Sequence, residues 1–72
     1  MKKKYFYSLM RDGKFINSNS MKEDTDKISE AIRFDDEEAI KSYWNKPYTK
    51  ALRASSNIKA VEVECIIREY DL

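Results

Sequence analysis

The segment Ile58–Leu72 (IKAVEVECIIREYDL) constrains the fold more than any other stretch of the chain. Val61, Val63, Cys65 and Ile67 share one side of an extended strand, and Glu62, Glu64, Ile66, Arg68 and Tyr70 share the other. A helix needs apolar residues every three to four positions, whereas strict alternation predicts a half-buried β-strand. The spacing places the valine side on a core and the glutamate side toward water. Ile66 and Tyr70 break the polarity of the wet side, and an apolar spot on an open sheet face marks a docking surface.

The rest of the chain supplies partners for this strand. Residues 3–10 (KKYFYSLM) are rich in aromatic residues and predict a first strand. Arg11-Asp12-Gly13-Lys14 predicts a tight hairpin turn, with Gly13 free to take positive φ. Phe15-Ile16-Asn17-Ser18 returns as a short edge strand. After a polar linker, Ile28, Ala31 and Ile32 are spaced i, i+3, i+4 and predict a helix capped by Thr25 or Asp26 and closed by Phe34. Asp35 or Asp36 caps a second helix bearing Ala39, Ile40, Tyr43 and Trp44, which Pro47 stops near Asn45. Proline suits a first helical turn, so Pro47–Leu52 either opens a third short helix, with Tyr48, Ala51 and Leu52 as its apolar face, or forms a loop. The order β-β-α-(α)-β predicts one α+β domain over residues 1–72: two layers, a three-stranded, mostly antiparallel sheet with its helices on one face.

Composition narrows function by exclusion. The chain has no histidine and a single cysteine, Cys65, so neither an imidazole base nor a zinc or iron ligand set is expected. Cys65 lies on the apolar side of the last strand and is expected to be a buried, inert thiol in a reducing compartment. One glycine excludes phosphate-cradling loops and dinucleotide fingerprints. No metal, no cofactor and no enzymatic activity are expected. Glu62 and Glu64 share a face, but as solvated charges rather than as a catalytic dyad. The YFYSLM run after Lys2–Lys4 is too short for a signal core, and no stretch reaches the ~20 apolar residues of a membrane span. A soluble, cytoplasmic protein with no membrane partner is expected. The net charge of +1 hides segregation: residues 1–22 carry net +5, 23–45 net −5, 46–59 net +4 and 60–72 net −3. Blocks of alternating sign attract one another in a fold.

Ala31, Phe34, Asp35, Asp36, Glu37, Glu38 and Ala39 form an A-x-x-F unit followed by acidic residues and a helix opening on E-E-A. Together with the aromatic hairpin before it and the valine-rich strand after it, this resembles small phage and prophage proteins, mostly uncharacterised, of ββαβ order. The chain departs from that pattern in the basic, proline-containing stretch Asn45–Ser56. The resemblance implies a small non-enzymatic accessory protein, in some cases an inhibitor of a host enzyme or defence complex.

Two modes of action follow from the residues. In the first, Tyr5, Tyr7, Trp44, Tyr48, Ile66 and Tyr70 form the contact surface for a protein partner, either a host protein or a second copy in a homodimer. In the second, Lys2, Lys3, Lys4, Arg11, Lys14, Lys50 and Arg53 hold nucleic-acid phosphates while strand aromatics stack on bases. The second requires the two basic blocks to converge.

Overall fold

The computed structural model describes residues 2–71, with side chains from residue 4 onward. Lys2–Arg11 forms β1 and Ile58–Ile67 forms β3, and the two pair antiparallel without interruption from Lys2↔Ile67 to Arg11↔Ile58. The short β2, Lys14–Phe15, pairs with the other side of β1, giving the order β2-β1-β3. The hairpin turn is as the dipeptide predicts. Asp12 (φ 52°) and Gly13 (φ 84°) both take the left-handed region, which lets two residues connect strands of natural twist. The molecule is thus an α+β fold around a three-stranded antiparallel sheet, with two helices on one face.

The expected helix around Ile28–Ile32 is replaced by a single 3-10 turn, Ile28–Glu30, and extended chain from Ala31 onward. The sheet outbids the helix for this backbone. The Ile32 amide donates to the Ile16 carbonyl, and Phe34 exchanges both backbone bonds with Tyr7, at 2.8 and 2.9 Å. Residues 31–34 thereby extend the sheet where β2 stops, and Ser8 Oγ adds a 2.6 Å bond to the Ile32 carbonyl.

The helices keep to their capping signals. Asp36 is the N-cap of α1, Glu37–Trp44: its Oδ1 accepts the Ala39 amide at 2.8 Å, and Glu37 and Glu38 occupy the positive end of the dipole. Asn45 ends the helix. Pro47 opens α2, Pro47–Ser55. Arg53 ties the two together, stacking its guanidinium over the Trp44 ring at 4.3 Å and donating to the Trp44 carbonyl at 2.9 Å. That bond satisfies one of the carbonyls that a helix end leaves without an intrahelical partner. It also turns α2, so that Thr49 and Leu52 face inward while Tyr48 and Ala51, expected on the apolar face, are exposed.

The cover falls on the sheet face opposite to the one the valine alternation suggests. Leu9, Ile40 and Ile58 form the buried centre, with Tyr7, Ile16, Ile32, Phe34, Tyr43, Trp44 and Leu52 packed around it. In the β1–β3 register Tyr5, Tyr7 and Leu9 share a face with Ile58, Glu62, Glu64 and Ile66. Val61, Val63 and Cys65 lie on the other face beside Phe6 and Ser8, and are only half-buried. Alternation shows which residues share a face but not which face the helices take. A turn of only two residues, Ser56 and Asn57, joins α2 to β3 and brings Ile58 directly under Leu52. The opposite face is shielded within the sheet itself: Phe6 lies across from Val63 and beneath the Arg33 guanidinium, 4.1 Å from its ring. Cys65 is accordingly a free, half-buried thiol on the face without helices, not a core residue.

Candidate functional site

Ten-residue strands reach about 33 Å, whereas the helices pack on the half of the ribbon that holds Leu9 and Ile58. The Tyr7 hydroxyl meets Glu37, at the start of α1, at 3.4 Å. Beyond that point toward Lys4 the ribbon carries no helix, in keeping with a molecule 49 Å long and 25 × 18 Å across. This free end carries exposed apolar residues among the charges of Lys4, Glu64, Arg68 and Glu69. Tyr5 (46% exposed) and Ile66 (45%) are diagonal neighbours on one face, Ile67 (59%) lies on the other, and Tyr70 (83%) follows just past the strand. The remaining exposed large hydrophobics, Met21, Ile28 and Tyr48, lie elsewhere.

Of the six aromatic and aliphatic residues expected to meet a protein partner, the fold places Tyr5 and Ile66 on one face as diagonal neighbours, with Tyr70 three residues past the strand. Tyr7 and Trp44 pack around the core, and Tyr48 is exposed on α2. Partial burial, then the Glu37 carboxylate, raises the Tyr7 hydroxyl above its ordinary pKa. Ile67 belongs to the free end as well, although the alternation assigns it to the core.

Of the seven basic residues of the nucleic-acid reading, the five with described side chains do not form one patch. The side chains of Lys2 and Lys3 lie outside the described residues. Lys4 and Arg11 stand about 23 Å apart along β1. Arg53 is committed to Trp44, and Lys14 and Lys50 are exposed on the hairpin turn and on α2. Arg11 donates from Nε and Nη2 to Asp24 at 2.9 and 2.8 Å.

That last pair joins the first basic block to the acidic one, and both side chains are more than two-thirds covered. Hydrogen bonding by Arg11 holds the Asp24 carboxyl below its ordinary pKa. A carboxylate whose folded pKa is depressed stabilises the fold above its unfolded pKa and loses that contribution as pH falls through the folded value. Asp24→Asn is therefore expected to lower stability by about 1 kcal/mol at pH 7. The gap should close below about pH 4. Urea midpoints across that range check this, and a pH-independent gap would remove the ion pair from the explanation.

A cavity of about 130 Å³ opens between the linker and α2, over Leu9, Ile32, Leu52 and Ile58, with Arg11, Lys22, Asp24 and Thr49 also in its wall. Burial, then Tyr48, raises the pKa of Tyr43 beside it. Among the described residues no group of three or more His, Cys, Asp or Glu side chains is placed to hold a metal ion. No helix among them is long and apolar enough to cross a membrane. Compared with known proteins, the chain matches no family model, and no curated protein or solved structure matches it at a significant level.

Proposed function

We propose that this chain is a small protein-binding module, without catalytic chemistry of its own, that docks a partner through the free end of the β1–β3 ribbon. The observation that carries this reading is the concentration of Tyr5, Ile66, Ile67 and Tyr70, four of the seven exposed large hydrophobics among the described residues, at one end of the sheet and just past it. Scattered exposed apolar residues are ordinary, whereas a cluster on a protruding element marks an interaction site. Tyrosine is a favoured anchor at such sites because it adds large apolar area and one hydroxyl at little entropic cost. Occupying a surface on another protein is also the mode of action that the resemblance to small phage and prophage proteins implies, a host enzyme or defence complex being the partner class.

The test compares wild type with a Tyr5→Lys/Ile66→Glu double variant. Each is immobilised, challenged with lysate of the source cells, and examined for self-association by light scattering. Wild type is expected to retain a defined protein, or to dimerise, and the variant to lose that property. Indistinguishable behaviour of the two proteins would refute docking at the ribbon end.

A further inference from the structure

We propose that the outer edge of β3 pairs antiparallel with β3 of a second copy, in a register centred on Cys65. β3 is an edge strand: β1 lies on one side and, among the described residues, no strand lies on the other. Tyr7 exchanges both backbone bonds with Phe34, so its amide and carbonyl point away from β3. Alternation then aims those of Phe6 and Ser8 at Val63 and Val61, and directs the groups of Ala60, Glu62 and Ile66 outward. The opposite edge of the sheet is covered, since the bridges Tyr7↔Phe34, Phe15↔Thr25 and Asn17↔Ala31 line it with residues 25–34. Among the described residues no bridge covers β3 in this way. The strand also holds no proline or glycine, and its ladder to β1 runs without a bulge. A long, regular edge of this kind is a template for another strand.

The side chains select both the occupant and the register. Pairing about Cys65 sets Glu62 opposite Arg68 of the second copy and Val63 opposite Ile67 of the second copy, each twice by two-fold symmetry. Glu62, Ile67 and Arg68 are exposed, and Val63 is half-buried. Opposite charges and apolar pairs directly across strands both favour the pairing. A register centred on Ile66 instead sets Val63 against Glu69. A two-fold axis through Cys65, normal to the sheet, keeps the helices of both copies on one face. Those helices pack on the half of the ribbon that holds Leu9 and Ile58, whereas the pairing uses residues 62–68. The two helical halves therefore lie at opposite ends of the joined sheet and do not collide. The pairing engages the backbone edge of the ribbon and leaves the Tyr5–Ile66 face open to another partner.

The experiment follows the full chain by sedimentation equilibrium in reducing buffer. An interface of about seven residues per copy is small, so a reversible dimer with a Kd on the order of 10–100 μM is expected. Arg68→Glu and Glu62→Arg should each weaken it about tenfold, and the double exchange Glu62→Arg/Arg68→Glu should restore it. Disulfide trapping then reads the register. Cys65 and Cys65 of the second copy form a non-hydrogen-bonded pair with Cα atoms about 4.5 Å apart, within the span of a disulfide. Diamide, which takes up the two protons and two electrons of the thiols, should link wild-type chains through Cys65. On a Cys65→Ser background, Val63→Cys and Ile67→Cys should cross-link with each other when mixed. Each alone should cross-link about tenfold more slowly, because its thiols stand about 13 Å apart along the strand. A chain monomeric up to about 1 mM would overturn the proposal. So would a double exchange that fails to restore the dimer, or equal trapping of Val63→Cys alone and in the mixture. None of these results decides docking at the Tyr5–Ile66 face, which capture by wild type and Tyr5→Lys/Ile66→Glu tests separately.

Discussion

Leu9→Ala is expected to lower stability by about 3 kcal/mol, the usual cost of cutting a fully buried leucine to alanine where the cavity cannot collapse. Leu9 is 1% exposed and lies at the centre of the packed group, between β1, α1 and the start of β3. A domain of this length is stabilised by roughly 4–11 kcal/mol, and one whose single cysteine allows no internal disulfide belongs near the lower end. The single substitution therefore removes most of the margin and should lower Tm by about 15 °C. Val61→Ala provides the contrast. Val61 is half-buried, faces Ser8 across the strands and meets no helix, so its truncation should cost about 1 kcal/mol. Thermal unfolding of the two variants side by side measures the difference. Equal losses would mean that the valine face carries as much packing as the leucine face.

Tyr5→Lys/Ile66→Glu is expected to do the reverse, leaving stability within about 1 kcal/mol of wild type and weakening docking about 100-fold. Two central anchors of about 2 kcal/mol each are enough for that loss, and part of it is offset where neighbouring contacts persist. The substitutions respect the backbone register, in which position 5 stands opposite Glu64 and position 66 opposite Lys3. Opposite charges directly across a strand pair favour the pairing. A loss of binding therefore reports on the surface rather than on the fold, provided that the melting temperature is unchanged. Titration calorimetry against the captured partner, or the dimer dissociation constant if the partner is a second copy, gives the magnitude.

Local signals in the chain are followed closely by the structure. Asp12-Gly13 makes the turn, Asp36 caps α1, and Pro47 opens α2 at the first helical position. Each acts within a few residues, so the sequence around it is sufficient. Long-range choices were not legible in the same way. Ile28, Ala31 and Ile32 have helical spacing, but the edge of β1 left open beyond β2 takes both backbone bonds of Phe34, and Ile16 takes the amide of Ile32. The valine alternation identifies a strand yet says nothing of which side α1 and α2 cover, a choice made by the short turn from α2 into Ile58.

The candidate surface shows the same division. Tyr5, Ile66 and Tyr70 stand out as apolar residues on an otherwise polar strand side, and they remain exposed. Trp44 reads as an exposed anchor in the sequence, but Arg53, nine residues later, draws it into the helix–helix contact.

Both helices cover the Leu9 and Ile58 face, and the ribbon beyond Tyr7 carries no helix. Nuclear Overhauser contacts from the rings of Tyr43 and Trp44 test this arrangement most directly. Cross-peaks from these rings to the methyl groups of Leu9, Ile40 and Ile58 are expected, and none to Val61 or Val63. Strong cross-peaks to Val61 and Val63, with Leu9 and Ile58 lacking aromatic contacts, would contradict it.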